Sequence, residues 1–220
     1  QQKIDELMEC VHYFDGLFQQ RRDNPGFDLV SMLANGEATK DIPMMEQLGN
    51  LLLLIVGGND TTRNSMSASI TAWNRFPDEF AKLQADPSLI DKMVAEVIRW
   101  QTPLSHMRRT ALEDVDMHGK TIKKGDKVIM WYYSGNHDEE VFDDPRIVKF
   151  DRPNGNNHLS FGFGIHRCMG LRVAELQLRI LWQQILEKFE KIELVEEPTR
   201  LKSNFVNGYT DVKVQVTHRK

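Results

Sequence analysis

The chain has 220 residues, 40% hydrophobic and 27% charged, with a formal net charge of −4 at pH 7. A weakly acidic balance argues against nucleic acid as the main partner, and the longest apolar run, residues 51–56, is far short of the ~20 residues a membrane span needs. Two cysteines in unrelated settings, Cys10 and Cys168, give neither a disulfide framework nor a C-x-x-C zinc site, which points to a reducing, cytoplasmic compartment.

The chain begins with Gln1 inside a helical pattern and without an initiator Met, so it reads as a fragment. Ile4, Leu7, Met8, Val11, Phe14, Leu17 and Phe18 repeat at helical spacing, and Asn24-Pro25-Gly26 ends that helix. A short helix follows near Leu29 to Leu33. Asp41 is expected to cap the next helix with Pro43 in its first turn. That helix runs to about Arg75, where Phe76-Pro77-Asp78 stops it. Two more helices are predicted near Asp78 to Gln84 and Ser88 to Trp100. Strand-like runs follow between 106 and 132, around turns at His118-Gly119 and Lys124-Gly125-Asp126, with Val128, Met130 and Tyr132 alternating with Ile129, Trp131 and Tyr133. Residues 143–160 are rich in Asp, Asn and Pro and read as an irregular meander. Met169 to Phe189 is an amphipathic helix, and Val212, Val214 and Val216 mark a last strand. With no repeat and no linker, the pattern describes one helix-dominated domain over residues 1–220.

Three places carry chemistry. In the long helix, Gly57-Gly58 is followed by Asp60 and Thr61. Two interior glycines cost ~1 kcal/mol each relative to alanine. Close packing against a second helix or room for a flat ligand would explain them, and threonine bonding back to a carbonyl would loosen the helix there. Glu96 and Arg99 share a helix face at i, i+3 and can pair. A second E-x-x-R, Glu197 to Arg200, contains a proline and does not read as helix. The third place is the run Phe161 to Gly170, FGFGIHRCMG. Its cysteine, Cys168, stands at the end of a glycine-rich loop and just before a helix, where backbone N–H groups and the helix dipole both favour a thiolate, a strong electron-rich metal ligand. A dinucleotide loop fails because Arg167 stands where the third glycine belongs, and a P-loop fails because Asp114 occupies the required glycine position. Arg108 and Arg109 open a strand and face opposite ways.

Phe161, Gly162, Gly164, His166, Cys168 and Gly170 match the haem-binding loop of the cytochrome P-450 superfamily, the haem-thiolate monooxygenases, and GGNDTT resembles its oxygen-activating helix. The resemblance covers essentially the whole chain and implies the C-terminal half of that fold, mainly α with small β-sheets. It implies haem b on the Cys168 thiolate, whose push onto iron is an established property of the family. Gly162, Gly164 and Gly170 then keep side chains away from the porphyrin. His166 and Arg109, with Arg108 as the alternative, bind haem propionates. Gly58 lies over the haem, and Asp60 and Thr61 deliver the protons that dioxygen activation needs. Glu96, Arg99 and Arg152 form a buried structural network that fixes the cysteine loop.

The stretches LLLLIVGGNDTTRNSM, VIRWQTPLSHMRRTA and SNFVNGYTD look most like the bacterial medium-chain alkane and fatty-acid terminal hydroxylases. That likeness implies insertion of one oxygen atom from O2 at a chain end, with electrons from a [2Fe-2S] ferredoxin and a flavin-dependent reductase. Leu53, Leu54 and Val56, just before the glycine pair, are candidates for an apolar substrate pocket, and Leu104 and Phe205 occupy positions that line it in relatives. Arg167, Arg172 and Arg179 are candidates for an acidic partner or for a plain solvated helix face. A terpenoid or steroid substrate is the alternative within the superfamily. A haem-thiolate gas-binding or electron-transfer protein is the alternative outside it, opposed by the Asp60-Thr61 pair.

Overall fold

A computed structural model describes the backbone of residues 2–220 and the side chains from Met8 onward. Ile4 and Leu7 of the expected apolar stripe lie outside the described side chains. The chain divides into two compact units, residues 1–59 and 60–220, and α3 belongs to both.

The first unit holds α1 (Gln2–Asp23), α2 (Leu29–Asn35) and the first half of α3 (Met44–Arg75). Phe18, Ala34 and Leu51 form its buried core, with Phe14, Val30 and Leu33 packed around them. Asp28 caps α2 by accepting from Ser31 N at 2.9 Å, a cap the hydrophobic spacing alone did not reveal. Asp41 does not cap α3. Gln47 N donates to Pro43 O at 3.0 Å as the first helical bond, so Pro43 is the flanking residue and Asp41 stands two places too early. The expected loosening near Thr61 is not seen either, since α3 is helical without interruption through Gly57 to Thr62.

In the second unit α3 is followed by α4 (Pro77–Ala85), a 3-10 turn and α5 (Ile90–Gln101). Ile90, Met93, Val94, Val97 and Ile98 recur at helical spacing and are all buried. They pack with Trp73, Phe80, Phe150, Leu178 and Trp182 into one core. The Trp182 indole N–H is satisfied by Ser69 Oγ at 2.9 Å, as a buried donor must be.

The strands are β1 (Met107–Thr110), β2 (Val115–Met117), β3 (Lys120–Ile122) and β4 (Lys127–Met130), then β5 (Phe189–Leu194), β6 (Thr199–Arg200), β7 (Tyr209–Asp211) and β8 (Val214–His218). Among the described residues they pair as four two-stranded antiparallel sheets, β1-β4, β2-β3, β5-β8 and β6-β7. The expected alternation through Tyr133 is cut short: β4 ends at Met130 and Tyr132–Asn136 forms the short helix α6. The helical turn buries Tyr132 and Asn136 on one face. α7 (Leu171–Lys188) stops one residue before Phe189, which opens β5. The fold is mainly α with small sheets. Among the described residues no helix is long and apolar enough to cross a membrane.

Candidate functional site

The second unit is organised around one buried carboxylate. Glu96 accepts from Arg99 Nε and Nη2 at 2.8 Å each, and from Arg152 Nε at 3.1 Å. The backbone N–H of Lys149 adds a fourth bond at 3.1 Å. The Glu96 and Arg99 side chains are 1% and 0% exposed. Two cations on one carboxylate leave an excess of positive charge, which is offset by carbonyl oxygens. Arg99 Nη1 donates to Asn136 O at 2.7 Å and Pro145 O at 2.8 Å, and Arg152 donates to the carbonyls of Asp143, Asp144 and Ile147. Arg99 also lies 5.1 Å from the centre of the buried Phe142 ring. The second E-x-x-R forms no such pair: Glu197 reaches Arg75, and Arg200 lies over the Tyr209 ring at 4.5 Å.

A residue with no motif around it carries this network to the cysteine loop. Asn136 is fully buried. Its Nδ2 donates to Thr102 Oγ1 at 2.8 Å and Ser160 Oγ at 2.9 Å, and its Oδ1 accepts from Leu159 N at 2.6 Å. Ser160 Oγ in turn donates to Ile98 O in α5 at 2.9 Å. The chain entering the loop is thus bonded to the element that carries Glu96 and Arg99.

Gly162 and Gly164 then take φ values of +68° and +70°, a region costly for residues with a Cβ. A Cβ on Gly162 would also stand 3.2 Å from Tyr132 Oη. Cys168 N donates to Phe161 O at 2.8 Å and Arg167 N to Gly164 O at 3.0 Å, which closes the loop. Cys168 is exposed. The expected backbone donors do not reach its sulfur: among the described residues no hydrogen bond ends on Sγ, and the residue's own N–H is committed to Phe161. Phe163, Ile165 and Met169, on either side of it, are 84%, 97% and 86% exposed.

That arrangement fits a flat, largely apolar macrocycle carrying a metal. A soft sulfur donor stands free, and three bulky apolar side chains beside it face solvent, where they cost free energy unless covered. A Cβ at Gly170 would lie 3.9 Å from Cys168 Sγ, ordinary contact, so nothing within the chain demands glycine there. Cys168 would be the axial ligand of such a group, and His166, exposed in the 3-10 turn Gly164–His166, a donor to its carboxylates.

The other expected residues fall as follows. In β1, Met107 and Arg109 lie on the partly buried side and Arg108 and Thr110 on the exposed one, which separates the two arginines by face. Asp60 Oδ1 pairs with Arg63 Nη2 at 3.0 Å on a half-exposed helix surface, and Thr61 O accepts from Ser65 Oγ at 2.8 Å. A Cβ on Gly57 or Gly58 would meet nothing within 4 Å among the described residues. Leu53 and Val56, in the first unit, are 72% and 61% exposed. Leu104 and Phe205 are brought together: Leu104 bridges Val206, and Ser105 N donates to Phe205 O at 2.8 Å.

His158, which the sequence did not single out, packs against the Phe161 ring at 5.4 Å. Burial, reinforced by Arg99 and Arg167, pushes its pKa down from 6.5 to about 4. A histidine neutral in the fold and protonatable when unfolded stabilises fully above the unfolded value. That contribution is lost as pH falls from 6.5 toward 4, by at most ~3 kcal/mol. Urea unfolding at pH 7 and pH 4.5 is expected to show a shallower loss in His158→Gln than in the parent. Equal slopes would show that this imidazole does not sense the change.

The sequence profile of the family described as Cytochrome P450 matches residues 88–216. The chain belongs to the cytochrome P450 family. It is 42% identical over 209 residues to linalool 8-monooxygenase of Pseudomonas putida, covering 94% of this chain and 51% of that protein. It is 34% identical to the methyl-branched lipid omega-hydroxylase of Mycobacterium tuberculosis, covering 96% of this chain and 51% of that one. Among solved structures, cytochrome P450-153 from Novosphingobium aromaticivorans superposes with a TM-score of 0.92 at 47% identity, over 98% of this chain and 54% of its own. The chain spans about half the length of the curated P450 relatives it matches. P450 proteins hold haem through a cysteine thiolate.

Proposed function

We propose that this chain is the cysteine-bearing half of a P450 monooxygenase that hydroxylates the terminal methyl of medium-chain alkanes or fatty acids. The observation that carries the reading is the exposed, unpartnered Cys168 thiol among apolar side chains, in a loop tied through Ser160 and Asn136 to the Glu96 carboxylate. The 34% identity to the methyl-branched lipid omega-hydroxylase of Mycobacterium tuberculosis supports attack at a chain end. Bound haem supplies the activation of O2. The chain's residues would hold and orient it: Cys168 at the metal, His166 and Arg109 at its carboxylates, the glycines of the loop at its face. Asp60, held by Arg63 at a half-exposed surface, stands where it can exchange protons with water, and Thr61 follows it for the relay. The joined segments of Leu104 and Phe205 would supply an apolar wall, and Leu53 and Val56 are exposed apolar side chains of the first unit available for a greasy substrate. Inner methylenes have the weaker C–H bonds, so selectivity for the end must come from positioning.

The partners proposed are a [2Fe-2S] ferredoxin and its flavin-dependent reductase. A groove of 640 Å³ beside the cysteine loop is lined in part by Lys92, Arg167, Arg172 and Arg179. Arg179 and Arg172 are paired to Asp91 and Glu175, so Arg167 and Lys92 are the cations best placed for an acidic partner. A second reading, hydroxylation of a terpenoid alcohol, is favoured by the 42% identity to linalool 8-monooxygenase. Product analysis of the full-length enzyme with octane, a medium-chain fatty acid and linalool decides between them. Terminal alcohols from the first two are expected. Mainly internal alcohols, or turnover of linalool alone, would reject the terminal-hydroxylase reading.

A further inference from the structure

A second cavity, of 430 Å³, lies between the end of α5, α6 and the β6-β7 hairpin. Its lining differs in kind from that of the cysteine loop. Arg75, Arg146, Arg200 and His137 contribute to it from four separate elements, Ser105, Tyr133 and Ser203 add hydroxyls, and no carboxylate lines it. Three guanidiniums drawn to one polar hollow repel one another unless an anion is shared among them. Arg75 spends part of its fork on Glu197, an exposed residue outside the lining. Arg200 lies over the Tyr209 ring at 4.5 Å and gives Nη1 to Asn207 Oδ1 at 2.8 Å, which leaves its other N–H groups for a ligand. Arg146 makes no side-chain bond among the described residues; its carbonyl accepts from Trp100 Nε1 at 3.1 Å.

We propose that this cavity is a binding site for a dianionic tetrahedral oxyanion, a phosphate group either free or heading a monoester. A guanidinium fork matches two oxygens of such a group, and the hydroxyls can donate to the rest. His137 completes the set. Its Nδ1 is 2.9 Å from Tyr133 O; a carbonyl only accepts, so Nδ1 carries the proton and Nε2 is left for a ligand. The charged groups around this ring are Arg99 and Glu96 of α5 and Arg146 of the meander. Burial first, then Arg99 and Arg146, hold its pKa below the ordinary value, against the Tyr133 carbonyl and Glu96. An anion reverses that balance, so binding takes up a proton and tightens as pH falls. The cavity's wall includes Ser105, Val206 and Asn207, the backbone that carries Leu104 and Phe205. The site does not depend on the haem reading.

Titration calorimetry of the full-length holoenzyme tests it, with inorganic phosphate and glycerol 3-phosphate at pH 8, where both are dianions. Tighter binding of the ester identifies a monoester head, and equal or weaker binding identifies the free ion. Arg146 and Arg200 are exposed, so the double variant Arg146→Gln/Arg200→Gln retains the fold. It is expected to weaken either probe about tenfold or more, while Arg219→Gln, outside the cavity, changes nothing. Sulfate, a dianion at every working pH, is expected to bind more tightly at pH 6 than at pH 8, and His137→Gln to remove that difference. No saturable binding of either phosphate probe, or unchanged affinity in the double variant, would overturn the proposal.

Discussion

Replacing Glu96 with alanine is expected to lower the unfolding free energy of the full-length protein by about 3–5 kcal/mol. The substitution removes the acceptor of four hydrogen bonds at once, from Arg99 Nε and Nη2, Arg152 Nε and Lys149 N. What remains is two guanidiniums, 0% and 3% exposed, with no carboxylate between them. Their carbonyl partners persist but carry only partial charge. The cost is therefore that of stranded cations more than of lost bonds. Arg99→Lys is expected to fail almost as badly, because a single ammonium cannot span Glu96 and the carbonyls of Asn136 and Pro145 together. Urea unfolding measures both. A loss below about 1 kcal/mol for Glu96→Ala would mean that water enters to solvate the arginines, and that the network does not hold the loop.

Cys168→Ala is expected to do the reverse. Stability of the haem-free protein should stay within about 0.5 kcal/mol of the parent, because the thiol is exposed and loop closure runs through Cys168 N to Phe161 O, which alanine preserves. The spectroscopic change should be complete. The reduced, carbon monoxide-bound full-length protein is expected to show the far-shifted Soret band of thiolate ligation, and the variant none of it. A variant that kept the band would remove Cys168 from the metal. A large fall in stability would mean that the sulfur is structural.

The two variants separate what was legible in the sequence from what was not. Spacing within one element exposes α3, α5 and α7, and the pairing of Glu96 with Arg99 is local to a helix turn. The glycines at 162 and 164 are readable because a positive φ is a demand few residues meet. Asn136 has no such signal. Its importance comes from three partners 23 to 34 residues away in sequence, brought together only by the fold. The end of β4 was hidden too: Met130 to Tyr133 alternates well enough for a strand, yet the chain turns into α6 at Tyr132. At Phe189 the apolar period of α7 runs into the alternation of β5 without a breaker, and only pairing with β8 marks the change. Arg75 and Arg200 stand 125 residues apart in the sequence, with His137 and Arg146 between them; the cavity they share follows from topology alone.

Arg99 and Arg152 grip the meander by its main-chain oxygens, at Asn136, Asp143, Asp144, Pro145 and Ile147. Every amino acid carries that oxygen. The exposed side chains at Asp143, Asp144 and Ile147 can therefore drift through many substitutions while the path of the backbone stays put. Variation and rigidity coexist in one segment, and a library randomised there would retain most of its folded members.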